Sequence, residues 1–80
     1  MNALQKYLDQ NGITKYQVSK ATGISSMTLS HATADSKPLS GQTVKVIAAV
    51  ADALGKTPGT VLDELIEIEN KNKAAKYTDT

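Results

Sequence analysis

Residues 26–31 carry side chains whose types and spacing suit hydrogen bonding at a surface. The segment reads SMTLSH, so it is rich in hydroxyls and, with histidine neutral, carries no formal charge. Hydroxyls and a neutral imidazole both donate and accept hydrogen bonds, and a thioether packs against apolar groups. These residue types recognise a polar partner at close range. The candidate contact residues are Ser26, Met27, Thr28, Ser30 and His31.

His31 is the one histidine of the chain, and the residues that catalysis or metal binding would require do not accompany it. The chain contains no cysteine. It shows no Ser/His/Asp order, glycine-rich phosphate loop or paired-carboxylate cluster, and a lone histidine is more often an ordinary exposed side chain than a ligand. We therefore predict no enzymatic activity, and no cofactor, metal ion or small-molecule substrate.

Length and composition indicate one small domain. A chain of 80 residues buries too little surface to sustain two cores. The lack of cysteine excludes a disulfide framework and fits a reducing compartment. No apolar run approaches the roughly 18 residues of a membrane span, and no N-terminal segment resembles a secretory signal. We expect a soluble cytoplasmic protein with no membrane partner.

The positive charge is unevenly distributed, and all of it comes from lysine. Residues 1–50 hold five lysines against two aspartates, a net charge of +3, whereas residues 51–80 hold four lysines against six acidic residues. A basic N-terminal part of the chain is compatible with a polyanionic partner. Because arginine, the commonest bidentate reader of guanine, is missing, any base reading must depend on smaller polar side chains.

Local signals mark where helices begin and end. Three hydroxyl residues have an apolar residue before them and another four positions after them, which is typical of an N-cap with a hydrophobic staple: Thr14, Ser25 and Ser40. Gln17 adds a capping box to the first, and Thr57-Pro58 opens a further helix. Glycines that follow helical segments mark ends: Gly12, Gly23 and Gly55. We predict five helices and no strands, with helices at about residues 2–11, 15–22, 26–33, 41–54 and 58–70.

One aliphatic core is predicted from apolar residues that recur three and four positions apart along these helices. The three tyrosines are expected at its margins. A single core of this size supplies only about 3–5 kcal/mol, so a dimer would help to stabilise the fold. The predicted core residues are Leu4, Leu8, Val18, Ala21, Ile24, Leu29, Ile47, Val50, Ala51, Leu54, Val61, Leu62, Leu65 and Ile66.

The second and third predicted helices, joined by a short turn containing glycine, have the length of a helix-turn-helix. With Leu29 buried and about 100° of rotation per residue, Met27 and His31 point away from the core. A rotation by one residue would bury Met27, so a core methionine is the alternative. A major groove admits such a helix and offers donors, acceptors and thymine methyl groups. Phosphate contacts are expected from Lys15, Gln17, Lys20 and Lys37.

The stretch TKYQVSKATGISSMTLSH, followed by ADALGKTPGTVLDEL, resembles the phage-repressor and Cro-like helix-turn-helix family, often called XRE. The similarity covers about residues 3–66. It implies an all-α, lambda-repressor-like five-helix bundle that binds operator DNA, often as a homodimer, with helix 26–33 in the major groove. Lys15 and Gln17 match backbone-contacting positions of the family. The base-facing positions correspond to Ser26, Met27, Thr28 and His31.

The chain departs from the family pattern after the reading helix. Between His31 and Ile47 it is several residues longer, so the loop around Lys37 or the start of the fourth helix is expected to differ. Residues 32–34 read ATA where the family has acidic or amide-rich residues. The base sequence that the family recognises therefore does not carry over to this chain.

We divide the chain into a helix-turn-helix domain at 1–69 and a polar, disordered tail at 70–80. The predicted function is a repressor-like, sequence-specific regulator, of prophage or plasmid origin, that binds double-stranded DNA as a homodimer. The predicted fifth helix carries a run of acidic residues, which is either a helix face exposed to solvent or a functional feature. In the functional interpretation, the acidic residues keep this end of the protein off DNA and leave Leu65, Ile66 and Ile68 free to form a dimer interface. The alternative function is an antitoxin-like protein-interaction module, which low net charge and missing arginine favour.

Overall fold

Five α-helices form the fold of the computed structural model, which describes the backbone of residues 1–77 and the side chains of residues 1–72. No strand occurs within that backbone, so the predicted all-α fold is confirmed. A 3-10 turn at Leu39–Gly41 precedes the fourth helix. In chain order the helices are α1 (Ala3–Gln10), α2 (Lys15–Thr22), α3 (Ser26–Ala32), α4 (Val44–Leu54) and α5 (Pro58–Tyr77).

Side-chain caps begin α2 and α3 where the sequence predicts them. The backbone N–H of Gln17 donates to Thr14 Oγ1 at 3.1 Å, and the backbone N–H of Thr14 donates to Gln17 Oε1 at 2.8 Å. These two bonds complete the predicted capping box. The backbone N–H of Thr28 donates to Ser25 Oγ at 3.1 Å. Because such caps satisfy N–H groups that have no partner within the helix, local sequence sets both boundaries.

α4 begins three residues later than predicted. Ser40, the expected N-cap, lies within the 3-10 turn, and Thr43 caps the helix instead by accepting the backbone N–H of Val46 at 3.2 Å. The half-buried Leu39 packs against the core, and its backbone N–H donates to Glu69 Oε2 of α5 at 3.3 Å. The additional residues of this loop thus form a turn that is held against α5.

α5 continues to Tyr77 and passes the predicted end at residue 70. Residues 70–77 contain neither glycine nor proline, and lysine and alanine favour helix. Lysines near a helix C-terminus also interact favourably with the macrodipole. The predicted disordered tail covered residues 70–80, of which 78–80 lie outside the described residues. Within the described part of the chain, no helix is both long and apolar enough to cross a membrane.

The core differs from the prediction in α5 and at Tyr7. Val61, Leu65 and Ile68 of α5 face inward, whereas Leu62 and Ile66 are exposed. Ala21 is also exposed and Leu54 is half-buried. Tyr7, which was expected at the margin, is one of the largest fully buried side chains. The other fully buried side chains confirm predicted core positions: Leu4, Leu8, Val18, Leu29, Val50, Val61 and Leu65.

A hydrogen-bond network explains how a tyrosine is accommodated in the core. Tyr7 donates its hydroxyl proton to Glu64 Oε1 at 2.6 Å, and Lys56 Nζ donates to the same carboxylate oxygen at 3.0 Å. The hydrogen bond from Tyr7, and then the one from Lys56, lower the pKa of the Glu64 carboxyl. The hydrogen bond to Glu64 raises the pKa of Lys56. Burial, followed by the bond to Glu64, raises the pKa of Tyr7. The network therefore joins α1, α5 and the segment between α4 and α5.

The lowered pKa of Glu64 predicts that the fold loses stability in acid. A carboxyl whose pKa is lower in the folded state than in the unfolded state stabilises the fold. This stabilisation is fully present above the unfolded pKa, which is about 4.3 for glutamate, and is lost as the pH falls through the folded pKa. Glu64→Gln should therefore be less stable than the native chain at about pH 7 and differ less from it at about pH 3. Urea unfolding measures both differences, and Glu67→Gln, on the exposed side of α5, is the control. Equal acid sensitivity of the native chain and Glu64→Gln would contradict this assignment.

Candidate nucleic-acid interface

A three-residue turn joins α2 to α3 and holds them in a helix-turn-helix. Gly23 closes α2 with φ of 78°, in the left-handed region that favours glycine. The hydroxyl of Ser19 donates to the carbonyl of Ile24 at 2.7 Å. The side chain of Ile24 is buried in the core. The turn is therefore anchored by a polar contact to α2 and an apolar contact to the core.

α3 turns one face to the core and the opposite face to solvent. Leu29 is fully buried and Ala32 is nearly so. Met27 is 69% exposed, so it is not a core methionine. The expected contact residues are all exposed: Ser26, Met27, Thr28, Ser30 and His31. The outward face of α3 is thus small, polar and close to uncharged, as its spacing predicts.

The C-terminal end of α3 is held by two amide side chains from other parts of the fold. Asn2, the N-cap of α1, donates from Nδ2 to the carbonyl of Ala32 at 2.7 Å. Gln42, which lies just before α4, donates from Nε2 to the same carbonyl at 2.6 Å. Thr33 is buried at the end of the helix and donates its hydroxyl to the carbonyl of Leu29 at 2.9 Å. These bonds fix the last turn of α3 to the rest of the fold.

The four expected phosphate-contacting residues lie on both sides of α3 in the sequence. Lys15 is the half-buried first residue of α2, and the exposed Gln17 uses Oε1 in the capping box. Lys20 is exposed, with Nζ 5.7 Å from the ring centroid of Tyr16. The half-buried Lys37 lines a cleft of about 150 Å³ together with residues of α3 that include Thr28 and His31. The structure thus brings Lys37 close to α3 and distributes the other three along α2.

The first turn of α4 borders α3 and adds residues that the sequence prediction did not include. Lys45 is exposed and shares a cleft of about 510 Å³ with Thr28 and Asp52. Val44, just before it, is 79% exposed. This turn was missed because Ser40 was taken as the N-cap of α4. The signal that could have identified it is Thr43, a hydroxyl residue three positions later that can also serve as an N-cap.

The predicted dimer interface is partly wrong. Leu65 is fully buried and Ile68 nearly so, because both pack into the core of their own chain. Ile66 is 43% exposed and Leu62, one turn before it, is 38% exposed. These two side chains line a groove with a volume of about 370 Å³. The other residues that line it are Pro38, Leu39, Ser40, Glu69 and Asn70. We call this surface the α5 groove.

Two short helices, α2 and α3, joined by a three-residue turn that contains glycine, place this helical bundle in the helix-turn-helix class of proteins. The family model of the Cro/C1-type HTH DNA-binding domain matches residues 3–67 of this chain. The chain therefore belongs to that family, and DNA is its partner. No curated protein and no solved structure shows a significant match to it.

Proposed function

We propose that the protein is a sequence-specific, repressor-like regulator of transcription that reads operator DNA with α3. The observation that carries this proposal is the orientation of α3, since Leu29 is buried while Met27 and His31 are exposed. A helix with small side chains on its outer face approaches base edges closely, and base edges in the major groove are distinct for each base pair. The resemblance to phage repressors supports a prophage or plasmid origin and a cytoplasmic location as part of the same proposal.

The proposed roles divide the surface into residues that read bases and residues that position the helix. Ser26, Thr28 and Ser30 offer hydroxyls to base edges, His31 offers an imidazole, and Met27 packs on thymine methyl groups. Phosphate contacts fix the docking without selecting a sequence. They are assigned to Lys15, Gln17, Lys20 and Lys37, with Lys45 added from the structure.

Selection from a pool of random DNA sites tests the proposal. We expect the protein to enrich one motif with approximate two-fold symmetry, because two copies of α3 would read two half-sites. Recovery of no enriched motif would contradict sequence-specific regulation. In that outcome the exposed face of α3 would be tested next for binding a protein partner.

Two single substitutions are expected to separate positioning from reading. Lys15→Ala should weaken binding to all sequences alike and lower the slope of log affinity against log salt by about 0.9, the value for one phosphate contact. His31→Ala should instead alter preference at particular base pairs, at a cost of about 1–3 kcal/mol for the preferred site. Fluorescence anisotropy titrations on the selected site and a scrambled site measure both effects. An equal loss on both sites for both variants would reject the assigned roles.

The homodimer is also part of the proposal, with the α5 groove as the pairing surface in place of Leu65 and Ile68. The groove exposes Leu62 and Ile66 together on one side of α5, next to Leu39. A two-fold interface uses the same patch on both copies, so Leu62 and Ile66 of one copy would pack against Leu62 and Ile66 of the other.

Ile66→Asp is expected to separate the dimer. An aspartate in an apolar interface would be buried without a partner, which costs several kcal/mol, so the dimer dissociation constant should rise by at least about a hundredfold. Sedimentation velocity over a range of concentrations measures it. Val44→Asp is the matched control, because it adds the same carboxylate at an exposed apolar position of α4. A native chain that stays monomeric throughout, or an unchanged dimer of Ile66→Asp, would remove the α5 groove as the interface.

A further inference from the structure

We propose that Asn2 and Gln42 are positioning residues that fix the C-terminal end of α3 and thereby set which bases the protein prefers. The proposal rests on the function proposed above. It starts from one carbonyl oxygen, that of Ala32, which accepts a hydrogen bond from Asn2 Nδ2 at 2.7 Å and another from Gln42 Nε2 at 2.6 Å. The two donors come from opposite sides of α3 in the sequence. The final turn of the reading helix is therefore held between α1 and the segment before α4.

α3 needs external support at this end because it is short. The helix has seven residues, and isolated helices shorter than about 12–15 residues are marginal in water. Its N-terminal end has the Ser25 cap and the anchored turn. Its C-terminal end lacks the glycine cap that closes α2 and α4, since Thr33 follows with φ of −100°. The last carbonyls of a helix require partners, and Asn2 and Gln42 supply them at Ala32.

Asn2 is buried, and each of its amide atoms has a defined partner. Its Oδ1 accepts the backbone N–H of Gln5 at 2.8 Å, which fixes the orientation of the amide. Its Nδ2 donates to Ala32 and also to the carbonyl of Lys37 at 3.3 Å. One side chain therefore caps α1, holds the end of α3 and ties down the loop that carries a proposed phosphate-contacting lysine.

Gln42 is held in place by a single hydrogen bond. Its Nε2 donates to Ala32, while its Oε1 is buried and has no partner among the described residues. The opposite orientation of the amide would place an oxygen against the carbonyl oxygen of Ala32. A buried acceptor without a hydrogen-bond partner destabilises a fold, so the burial of this oxygen does not by itself favour the observed position of the side chain. The contact with Ala32 is what accounts for its position.

The base-reading residues closest to this contact are Ser30 and His31, which directly precede Ala32. A loosened last turn would let the His31 imidazole sample several positions over the groove. Because hydrogen bonds to base edges depend on distance and angle, the expected consequence is weaker discrimination among base pairs near His31. Binding through phosphates should change little.

Three variants separate this role from the other functions of the same side chains. Asn2→Ser keeps a hydroxyl that caps α1 but is too short to reach Ala32. Asn2→Ala removes the cap and the contact together. Gln42→Met keeps the length of the side chain and removes the donor. Asn2→Ser and Gln42→Met therefore test the same contact from its two sides.

Amide hydrogen exchange in the free protein gives the first test. In Asn2→Ser and Gln42→Met we expect the backbone amides of Thr33 and Ala34 to exchange about fivefold faster, which corresponds to the roughly 1 kcal/mol by which a typical hydrogen bond stabilises. The amide of Lys6, in α1, should be unaffected in Asn2→Ser and faster in Asn2→Ala. Unchanged exchange at Thr33 and Ala34 in both of the first two variants would overturn the proposal.

Selection from a random DNA pool gives the second test. It separates a positioning role of Gln42 from a purely structural one, because a purely structural role would not change which bases the protein prefers. We expect Gln42→Met to lose preference at the same base pairs as His31→Ala, with affinity for a scrambled site unchanged. Equal losses on selected and scrambled sites would overturn the positioning role. If the native chain itself selects no motif, the proposed regulator function fails and the base-preference part of this proposal fails with it. Hydrogen exchange then still decides whether Asn2 and Gln42 hold α3.

Discussion

Replacing Met27 with glutamate is expected to lower DNA affinity by at least about a hundredfold, which corresponds to about 2.7 kcal/mol, without weakening the fold. Met27 lies at the centre of the outward face of α3 and is 69% exposed. A carboxylate there would be desolvated against the groove and repelled by phosphates on both sides. Leaving a charge unpaired at a buried interface costs about 2–5 kcal/mol.

The fold should tolerate this change because Met27 makes no contribution to the core. Exposed substitutions of this kind usually change the free energy of unfolding by no more than about 0.5 kcal/mol. Anisotropy titrations on the selected operator measure affinity, and urea unfolding measures stability. Gln10→Glu is the control, since it makes the same change in net charge at an exposed position of α1.

The control separates local repulsion from a general effect of net charge. Gln10→Glu should leave operator affinity within a small factor of the native value. If both glutamate variants bind DNA as the native chain does, α3 is not the helix that enters the groove. If both lose affinity equally, the effect comes from net charge and not from the position of Met27.

Replacing Leu29 with alanine is expected to lower the free energy of unfolding by about 2–5 kcal/mol. Leu29 is fully buried and is the apolar side chain that anchors the centre of α3. A core of this size supplies only about 3–5 kcal/mol in total, so a large share of the chains should be unfolded at room temperature. DNA binding should fall in proportion to the folded fraction.

Met27→Ala makes the corresponding test on the exposed face of the same helix. Alanine favours helix at both positions, so the two variants differ in burial and not in helix propensity. Urea unfolding should show a large decrease in midpoint for Leu29→Ala and almost none for Met27→Ala. Comparable losses for both variants would show that α3 is rotated from the orientation described above.

Much of the fold follows from local signals in the sequence. The caps at Thr14 and Ser25 and the glycine at 23 are short-range devices whose physics involves only neighbouring residues, and the structure has them where they were predicted. The orientation of α3 was predicted by taking Leu29 as the buried side chain, while a core methionine at Met27 stayed open as the alternative. The structure decides between them, because Leu29 is fully buried and Met27 is exposed.

The α5 stripe was not predictable in the same way. Its apolar positions allow two overlapping stripes, Val61, Leu65 and Ile68, or Leu62 and Ile66, and periodicity fits both. The choice is made by α1 and α4, which pack against α5. Tyr7 was misplaced for a related reason, because its burial depends on partners that lie more than forty positions away in the chain, Lys56 and Glu64.

The exposed face of α3 was predictable from the sequence, and the contacts that support the helix were not. Once Leu29 is placed in the core, helical rotation turns outward the side chains that the structure shows exposed: Ser26, Met27, Thr28, Ser30 and His31. The supports at Asn2 and Gln42 depend on the path of the loop between α3 and α4, and the cap of the following helix was predicted at Ser40. In the structure Leu39 packs against the core, its backbone N–H donates to Glu69, and Thr43 caps the helix.

The loop before α4 has a consequence for how such a protein evolves. Within four residues, Leu39 lines the α5 groove and bonds to Glu69, and Gln42 holds the end of α3. On the two proposals made above, a loop of different length would disturb both the self-association surface and base preference. A lineage that acquires a new operator through this loop must therefore restore subunit pairing at the same time, whereas changes confined to the outer face of α3 leave pairing untouched.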